Sequence, residues 1–286
     1  MFVKAIEKIN PIIRPIYGIT RYFNSDKAVP DAATFFFVNN KGYAVTCKHV
    51  AEMLLHYKDT ALTYEAYKED IAQKIENKID RKEYILKDVK EQFKNSNPPI
   101  QSEIRFEDST QCQIIAMHPM ADLAIIRVNT LRNINSICPI FKRNMVKEGK
   151  MLCRSGFAFP DFNNYKYNPD MDKIEWTATG KVSTPPFHVD GMVARRKGHI
   201  LIMTTPGYDF MSGAPLYDEN GYICGMQTSV LNKYTNFDCD EKEIWHNGLE
   251  LKVTQYPFAH FSECIDAEVI KTFLTQHKVD FNEENF

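Results

Sequence analysis

The sequence predicts a mainly β protein in which antiparallel strands form β-barrels or a sandwich. Apolar and polar residues alternate over residues 16–23, 33–50 and 102–128, which is the period expected of half-buried strands. Residues 39–42 and 107–109 are rich in Asn, Asp, Ser and Gly, which favour tight hairpin turns. Strands do not alternate with helical segments, so a parallel sheet is not expected.

A second group of short strands is predicted downstream of the first. Its members have the same alternation and are separated by turn-forming residues. They are residues 150–159, 173–184, 199–205, 214–230 and 248–255. Two separate groups of strands favour two packed β units rather than one large sheet.

A charged segment that interrupts the first group is predicted to be helical. Residues 64–94 contain almost no Gly or Pro and carry apolar residues at helical spacing. These are Ile71, Ile75, Ile79, Ile85 or Leu86, Val89 and Phe93. About 30 residues are too few for an independent core, so we interpret this segment as an insertion into the first unit.

A second helix is predicted at the C-terminal end of the sequence. Ile265, Val269, Ile270, Phe273 and Leu274 follow helical spacing. We expect them to form one amphipathic helix that packs against the preceding strands.

Composition excludes few functions but favours a cytoplasmic protein. The 286 residues have a formal net charge of −2, which gives no electrostatic reason to expect a nucleic-acid or membrane partner. The first residues lack the apolar stretch of a secretory signal. Seven scattered cysteines without a CxxC pair indicate neither a disulfide framework nor a zinc site, and we expect no metal or cofactor.

Three residues have the side chains that acyl transfer requires, namely a nucleophile, a base and a carboxylate that orients the base. Ser212 precedes Gly213 in MSGAPL, His49 ends GYAVTCKHV, and Asp122 precedes LAIIRV. Each signal is weak by itself. The Ser-Gly pair could be an ordinary loop, His49 a structural histidine and Asp122 a turn or cap residue.

Together these motifs resemble the HtrA-type branch of the trypsin-like serine protease superfamily. GYAVTCKHV is similar to that family's G-x-x-V-T-x-x-H-V strand, MADLAIIRV to its aspartate strand and SGAPLYDENGYICGMQTSV to its serine segment. VKEGKMLCRSGFAFP and TATGKVST resemble the segments between the motifs. The resemblance extends over most of residues 33–277 and preserves the family's order of His, Asp and Ser.

The resemblance implies one protease module over residues 1–286, made of two antiparallel six-stranded β-barrels. The first barrel would span 10–130 with a helical insert at 55–98, and the second 140–262. A C-terminal helix and tail would follow at 263–286. His49 and Asp122 would lie in the first barrel and Ser212 in the second, so that the site occupies the cleft between them.

The resemblance also implies a role for each site residue. Ser212 would be the nucleophile, His49 the general base and Asp122 the carboxylate that orients it. The backbone N–H groups of Phe210 and Ser212 would form the oxyanion hole. Met226, Gln227 and Thr228 would contact the substrate and pair with an extended peptide.

Phe210 departs from the family pattern, which has glycine two residues before the serine. Phenylalanine retains the N–H donor but lacks the freedom of glycine at positive φ. We therefore expect either a strained turn or a donor that points away from the site.

The sequence thus predicts a serine endopeptidase of narrow specificity that acts on a protein or peptide and is regulated by a partner or ligand. The alternative is a pseudoprotease that binds proteins without cleaving them. Residues 60–95 are either a docking element for a regulatory protein partner or an insertion without function.

Overall fold

The computed structural model describes most of the chain, and its description leaves out several short stretches. These are residues 1, 24, 26, 78–97, 108, 131–133, 135–137, 236–239, 247–248, 256–257 and 286. The described residues form a mainly β protein, which confirms the predicted class. The predicted apolar positions from Ile79 to Phe93 lie outside the described residues.

Six antiparallel strands from the first half of the chain form one curved sheet with the order β4-β1-β2-β3-β6-β5. The strands are β1 (Ile13–Tyr22), β2 (Ala28–Phe37), β3 (Tyr43–Thr46), β4 (Pro99–Phe106), β5 (Ser109–Met117) and β6 (Ala124–Thr130). Within the described residues its edge strands β4 and β5 do not pair with each other. This sheet is therefore a half-barrel, and the expected closure of a first barrel is not confirmed.

The second half of the chain contains a closed six-stranded barrel. Strands follow the order β13-β8-β11-β12-β17-β14, and pairing of β14 with β13 closes the ring. These strands are β8 (Met151–Gly156), β11 (Phe187–Lys197), β12 (Ile200–Met203), β13 (Pro215–Tyr217), β14 (Ile223–Tyr234) and β17 (Phe258–Asp266). Two short strands, β7 (Ile140–Phe141) and β18 (Asn282–Glu283), extend the sheet beyond β14.

Two hairpins lie outside these sheets. They are β9 (Tyr165–Asn168) with β10 (Lys173–Trp176), and β15 (Asp240–His246) with β16 (Leu249–Gln255). The predicted strand over 173–184 is thus wrong in its second half, because only its first four residues pair, and they pair with β9. Strand β11 was not predicted, since its inward-facing positions include Gly191.

Three helices are described: α1 (Val3–Ile9), α2 (Lys48–Asn77) and α3 (Ala267–Gln276). The predicted C-terminal helix from residue 263 begins later, because residues up to Asp266 pair with β12 and β14. The Asp266 side chain then caps α3 by accepting a hydrogen bond from the Glu268 N–H. Helix α2 begins at Lys48, well before the segment predicted to be helical.

One apolar core joins the two β units. Its buried residues come from α1, from the half-barrel, from the closed barrel and from α3, as shown by Ile9, Phe35, Met226 and Phe273. The sheets consequently pack directly on each other, and the segments between them are held from both sides.

Candidate active site

Ser212 lies on a tight turn between β12 and β13. The turn is held by hydrogen bonds from the Met211 N–H to the Tyr208 carbonyl (3.3 Å) and from the Ala214 N–H to the Met211 carbonyl (2.9 Å). The Ser212 carbonyl accepts a hydrogen bond from the N–H of Thr34 in the half-barrel, at 2.9 Å. The serine is thereby anchored to both β units.

His49 is the second residue of α2 and is paired with Asp122. Its backbone N–H donates to Asp122 Oδ1 at 3.0 Å, and its ring Nδ1 lies 2.8 Å from Asp122 Oδ2. Asp122 lies in the turn between β5 and β6, where His118 Nδ1 accepts hydrogen bonds from the N–H groups of Met120 and Ala121. Both members of the pair are therefore positioned by secondary structure of the half-barrel.

The hydrogen bond to Asp122 raises the pKa of His49 above its ordinary value, although partial burial of the ring opposes this. Burial acts to raise the pKa of Asp122, but the hydrogen bonds from His49 outweigh it and the pKa is lowered. The carboxyl group is consequently ionised at neutral pH and accepts the Nδ1 proton of the imidazole. This tautomer leaves Nε2 to take up a proton.

Cys47 connects the Ser212 turn to this pair. The carbonyl of Gln227 accepts hydrogen bonds from the Cys47 thiol (3.3 Å) and from the Gly213 N–H (3.0 Å). The Cys47 sulfur also lies within 4.8 Å of polar side-chain atoms of His49 and Asp122. Gly213, the residue that follows Ser212, is thus connected to the surroundings of the histidine–aspartate pair through the Gln227 carbonyl and the Cys47 side chain.

In the described part of the chain, no hydrogen bond joins the Ser212 hydroxyl to His49. Catalytic hydrogen bonds often form only when substrate binds, so the two side chains need not touch in the free protein.

Phe210 adopts a φ of 72°, the left-handed region that favours glycine. Its ring packs against a buried cluster that includes Tyr17, Phe162 and Ile174. We infer that this partial burial offsets part of the strain of ~1–3 kcal/mol that a side chain in this region carries. Within the described residues, neither the Phe210 nor the Ser212 N–H donates a hydrogen bond, so both donors are available to a ligand.

Cys47, His49 and Asp122 present one potential metal ligand each. Zinc requires a thiolate, whereas burial raises the pKa of the Cys47 thiol well above its ordinary value. Since His49 and Asp122 are hydrogen-bonded to each other, this set suits proton transfer better than metal binding.

The predicted substrate residues lie beneath the surface. The side chains of Met226 and Gln227 are 0% and 1% exposed, and the Thr228 hydroxyl donates to the Glu263 carbonyl at 3.2 Å. The Gln227 N–H donates to the Ala214 carbonyl, so its backbone is not available to a peptide. The strand continues to Val230, which lines a cavity beside the Ser212 turn, and contact of Met226, Gln227 and Thr228 with substrate stays a prediction.

Two acidic residues near His49 were not predicted. The charges of Glu52 and Asp31 both act to raise the pKa of His49. Burial raises the pKa of Asp31 itself, and its nearest charged groups include His49 and Asp209. Glu52 could have been found from its place one helical turn after His49, but Asp31 lies on β2 and its sequence position gives no sign that it is near His49.

Comparison with models of known protein families and with curated proteins gives no match. The geometry of the site therefore carries the functional argument by itself. Within the described part of the chain, no helix has the length and apolar character needed to span a membrane.

Proposed function

We propose that this protein is a serine endopeptidase of narrow specificity, in which the half-barrel and the closed barrel are arranged like the two β-barrels of a trypsin-like, HtrA-type protease. Ser212 is its nucleophile, His49 its general base and Asp122 the residue that orients His49. The observation that carries the proposal is the 2.8 Å contact between His49 Nδ1 and Asp122 Oδ2 beside the Ser212 turn. A lone structural histidine would not need an ionised carboxylate in this geometry.

In the proposed reaction the Ser212 hydroxyl attacks the peptide carbonyl carbon while His49 Nε2 takes its proton. The N–H groups of Phe210 and Ser212 stabilise the resulting oxyanion. The carbon–nitrogen bond then breaks, and His49 returns the proton to the leaving amine. Water hydrolyses the acyl-enzyme in the second half of the cycle, again with His49 as base.

The competing proposal is a protein-binding module without catalysis. It is favoured by the strained φ of 72° at Phe210 and by the absence, among the described residues, of a hydrogen bond between Ser212 and His49. Both proposals use the same cleft, and they differ in whether Ser212 reacts.

A fluorophosphonate probe distinguishes them, because it forms a covalent bond with an activated serine. We expect the wild-type protein to be labelled and Ser212→Ala to be unlabelled. Ser229→Ala is the matched control, since Ser229 is exposed on β14 and bonds to Glu263. No labelling of the wild type, or equal labelling of Ser212→Ala, would contradict the enzyme proposal.

The same experiment can be followed as a function of pH. His49 acts as base in its neutral form, and its pKa is raised by Asp122. The labelling rate should therefore increase with pH, with a midpoint above the ordinary imidazole value of 6.5. In Asp122→Asn the rate should fall by ~10²–10⁴, since the orienting carboxylate is lost.

A further inference from the structure

A cavity of about 370 Å³ opens directly beside the Ser212 turn. It shares Asp209 and Phe210 with that turn, and its volume is near the lower end of the range for ligand sites, about 300–1,000 Å³. It is therefore sized for a single large side chain. Its lining consists of Phe159, Gly207, Tyr208, Asp209, Phe210, Val230, Asn232 and His260.

Backbone strain is concentrated around this cavity. Four non-glycine residues in the described part of the chain have positive φ, and two of them, Phe159 (55°) and Phe210 (72°), line it. Strained backbone persists where surrounding structure enforces it, and it is enriched at binding and catalytic sites.

Aromatic rings form one side of the cavity and its rim. Phe159, Phe187 and Tyr208 contact one another, with ring centroids 5.3 Å apart for Phe159–Tyr208, 5.5 Å for Phe159–Phe187 and 5.6 Å for Phe187–Tyr208. Phe159 remains 56% exposed and Phe187 40% exposed. Rings held in place by one another but left accessible offer a preformed surface for a further ring.

The wall between the rings and Ser212 is rigid. The Gly207 N–H donates to the Phe261 carbonyl at 3.1 Å, and Gln227 Nε2 donates to the Tyr208 carbonyl at 3.2 Å. The buried Arg154 guanidinium donates to the carbonyls of Thr205 and Pro206, just before Gly207. A pocket fixed in this way binds its ligand without a large ordering cost.

The polar residues of the lining do not favour a charged occupant. Asn232 Oδ1 and His260 Nδ1 bond to each other at 2.7 Å. Asp209 is exposed, and an ion pair in water contributes only about 0–1 kcal/mol. A cationic side chain would therefore gain little from the cavity, whereas an aromatic one would pack against the rings of Phe159 and Tyr208.

We propose that this cavity binds an aromatic side chain of the peptide substrate, namely the residue whose carbonyl Ser212 attacks. The inference rests on the proposed function for the position of the cleaved bond. Phe159 and Tyr208 are its specificity-determining residues.

Binding and cleavage of one peptide series test the inference separately. The series differs at a single position, with Phe, Ala or Arg. We expect Ser212→Ala, which cannot cleave, to bind the Phe peptide about tenfold more tightly than the other two. Wild-type protein should cleave after Phe, as located by mass spectrometry of the products.

Adding Phe159→Ala should remove the preference for Phe, so that the Phe and Ala peptides bind with similar affinity. Met151→Ala, an exposed apolar residue of β8 outside the lining, is the matched control and should preserve the preference. A preference for Arg or Ala, or a Phe preference that survives Phe159→Ala, would overturn the inference.

The two proposals fail in different ways. Phe159-dependent binding without probe labelling of Ser212 would refute the enzyme and retain an aromatic-binding cleft. Labelling of Ser212 without any preference among the peptides would refute the aromatic specificity and retain the enzyme.

Discussion

Phe210 shows how one residue can hold a backbone conformation that its side chain disfavours. The φ of 72° is accessible to glycine without steric cost, but the phenylalanine ring packs in the cluster that contains Tyr17 and Phe162. Phe210 is partly buried, and full burial of a phenylalanine side chain contributes about 1.5–3 kcal/mol, so its packing offsets part of the strain. The residue that looked unfavourable in the sequence is thus anchored by its own side chain.

Two substitutions at Phe210 separate the effect of its packed ring from the strain of its positive φ. Phe210→Gly removes the ring and the strain together, so the turn should keep its conformation and kcat/KM should stay within about tenfold of wild type. Phe210→Ala keeps the strain but loses the anchor, so the turn should relax and lose its oxyanion donor, with a decrease of ~10²–10³. Peptide hydrolysis by the two variants measures the difference, and equal rates would contradict this account.

Helix α2 combines a site residue and a structural contact in one element. Its first turn carries His49, and about four and five turns later Tyr64 and Lys68 reach Asp172 next to β10, at 3.2 and 3.3 Å. Asp172 also bonds to Arg21 of β1 at 2.6 Å. The described part of the insert therefore packs on the protein's own chain, while docking of a partner through residues 60–95 stays a prediction.

The contact at Asp172 should make stability depend on pH. Burial raises its pKa, but bonds from Tyr167, Arg21, Lys68 and Tyr64 outweigh this, and the pKa lies below the ordinary 3.8. A lowered pKa stabilises the fold above pH 3.8, and the contribution is lost as pH falls through the folded value.

Asp172→Asn tests this contribution, because asparagine tolerates the positive φ of 49° at this position. Urea denaturation should show a lower free energy of unfolding for the variant at pH 7, and the two proteins should converge as the pH falls through the lowered pKa of Asp172. Asp170→Asn, an exposed neighbour, should resemble wild type throughout. A constant difference at all pH values would contradict the assignment.

On the scale of the whole molecule, the candidate site lies where the half-barrel and the closed barrel meet. Gly213 has a φ of 89°, and a Cβ at this position would collide with the carbonyl oxygen of Thr34 and crowd the Thr46 hydroxyl. The glycine after Ser212 is therefore required by close approach of the two β units as well as by its backbone conformation.

Two glycine substitutions separate the destabilisation caused by this close approach from the destabilisation caused by positive φ alone. Gly149 has a similar φ of 85°, but a Cβ there would contact nothing within 4 Å. Gly149→Ala should cost about 1–2 kcal/mol of unfolding free energy. Gly213→Ala should cost more than ~4 kcal/mol or prevent folding. Chemical denaturation followed by circular dichroism measures both, and similar costs would contradict the packing argument.

The strand predictions were correct where a local sequence pattern marks the strand. They were wrong where strand formation depends on pairing with residues that are distant in the sequence. Strands β1, β2 and β14 overlap the predicted strands, although β1 is buried almost throughout and β2 and β14 are buried on both faces over about half their length. Residues 177–184 and the start of α3 were misassigned, because only neighbours distant in the sequence decide which extended residues pair. The sequence pattern also did not show that Met226, Gln227 and Thr228 are buried, since burial depends on how far the strand extends beyond the core.

By itself the sequence determined the β class and drew attention to His49, Asp122 and Ser212, because strand periodicity and side-chain chemistry are local properties. Tertiary structure decided that His49 and Asp122 are hydrogen-bonded, that Phe210 adopts positive φ, that only the second barrel closes within the described residues, and that aromatic rings surround a cavity beside Ser212. Each of these depends on contacts between residues far apart in the chain. Their energies are set by packing and burial, which no short stretch of sequence contains.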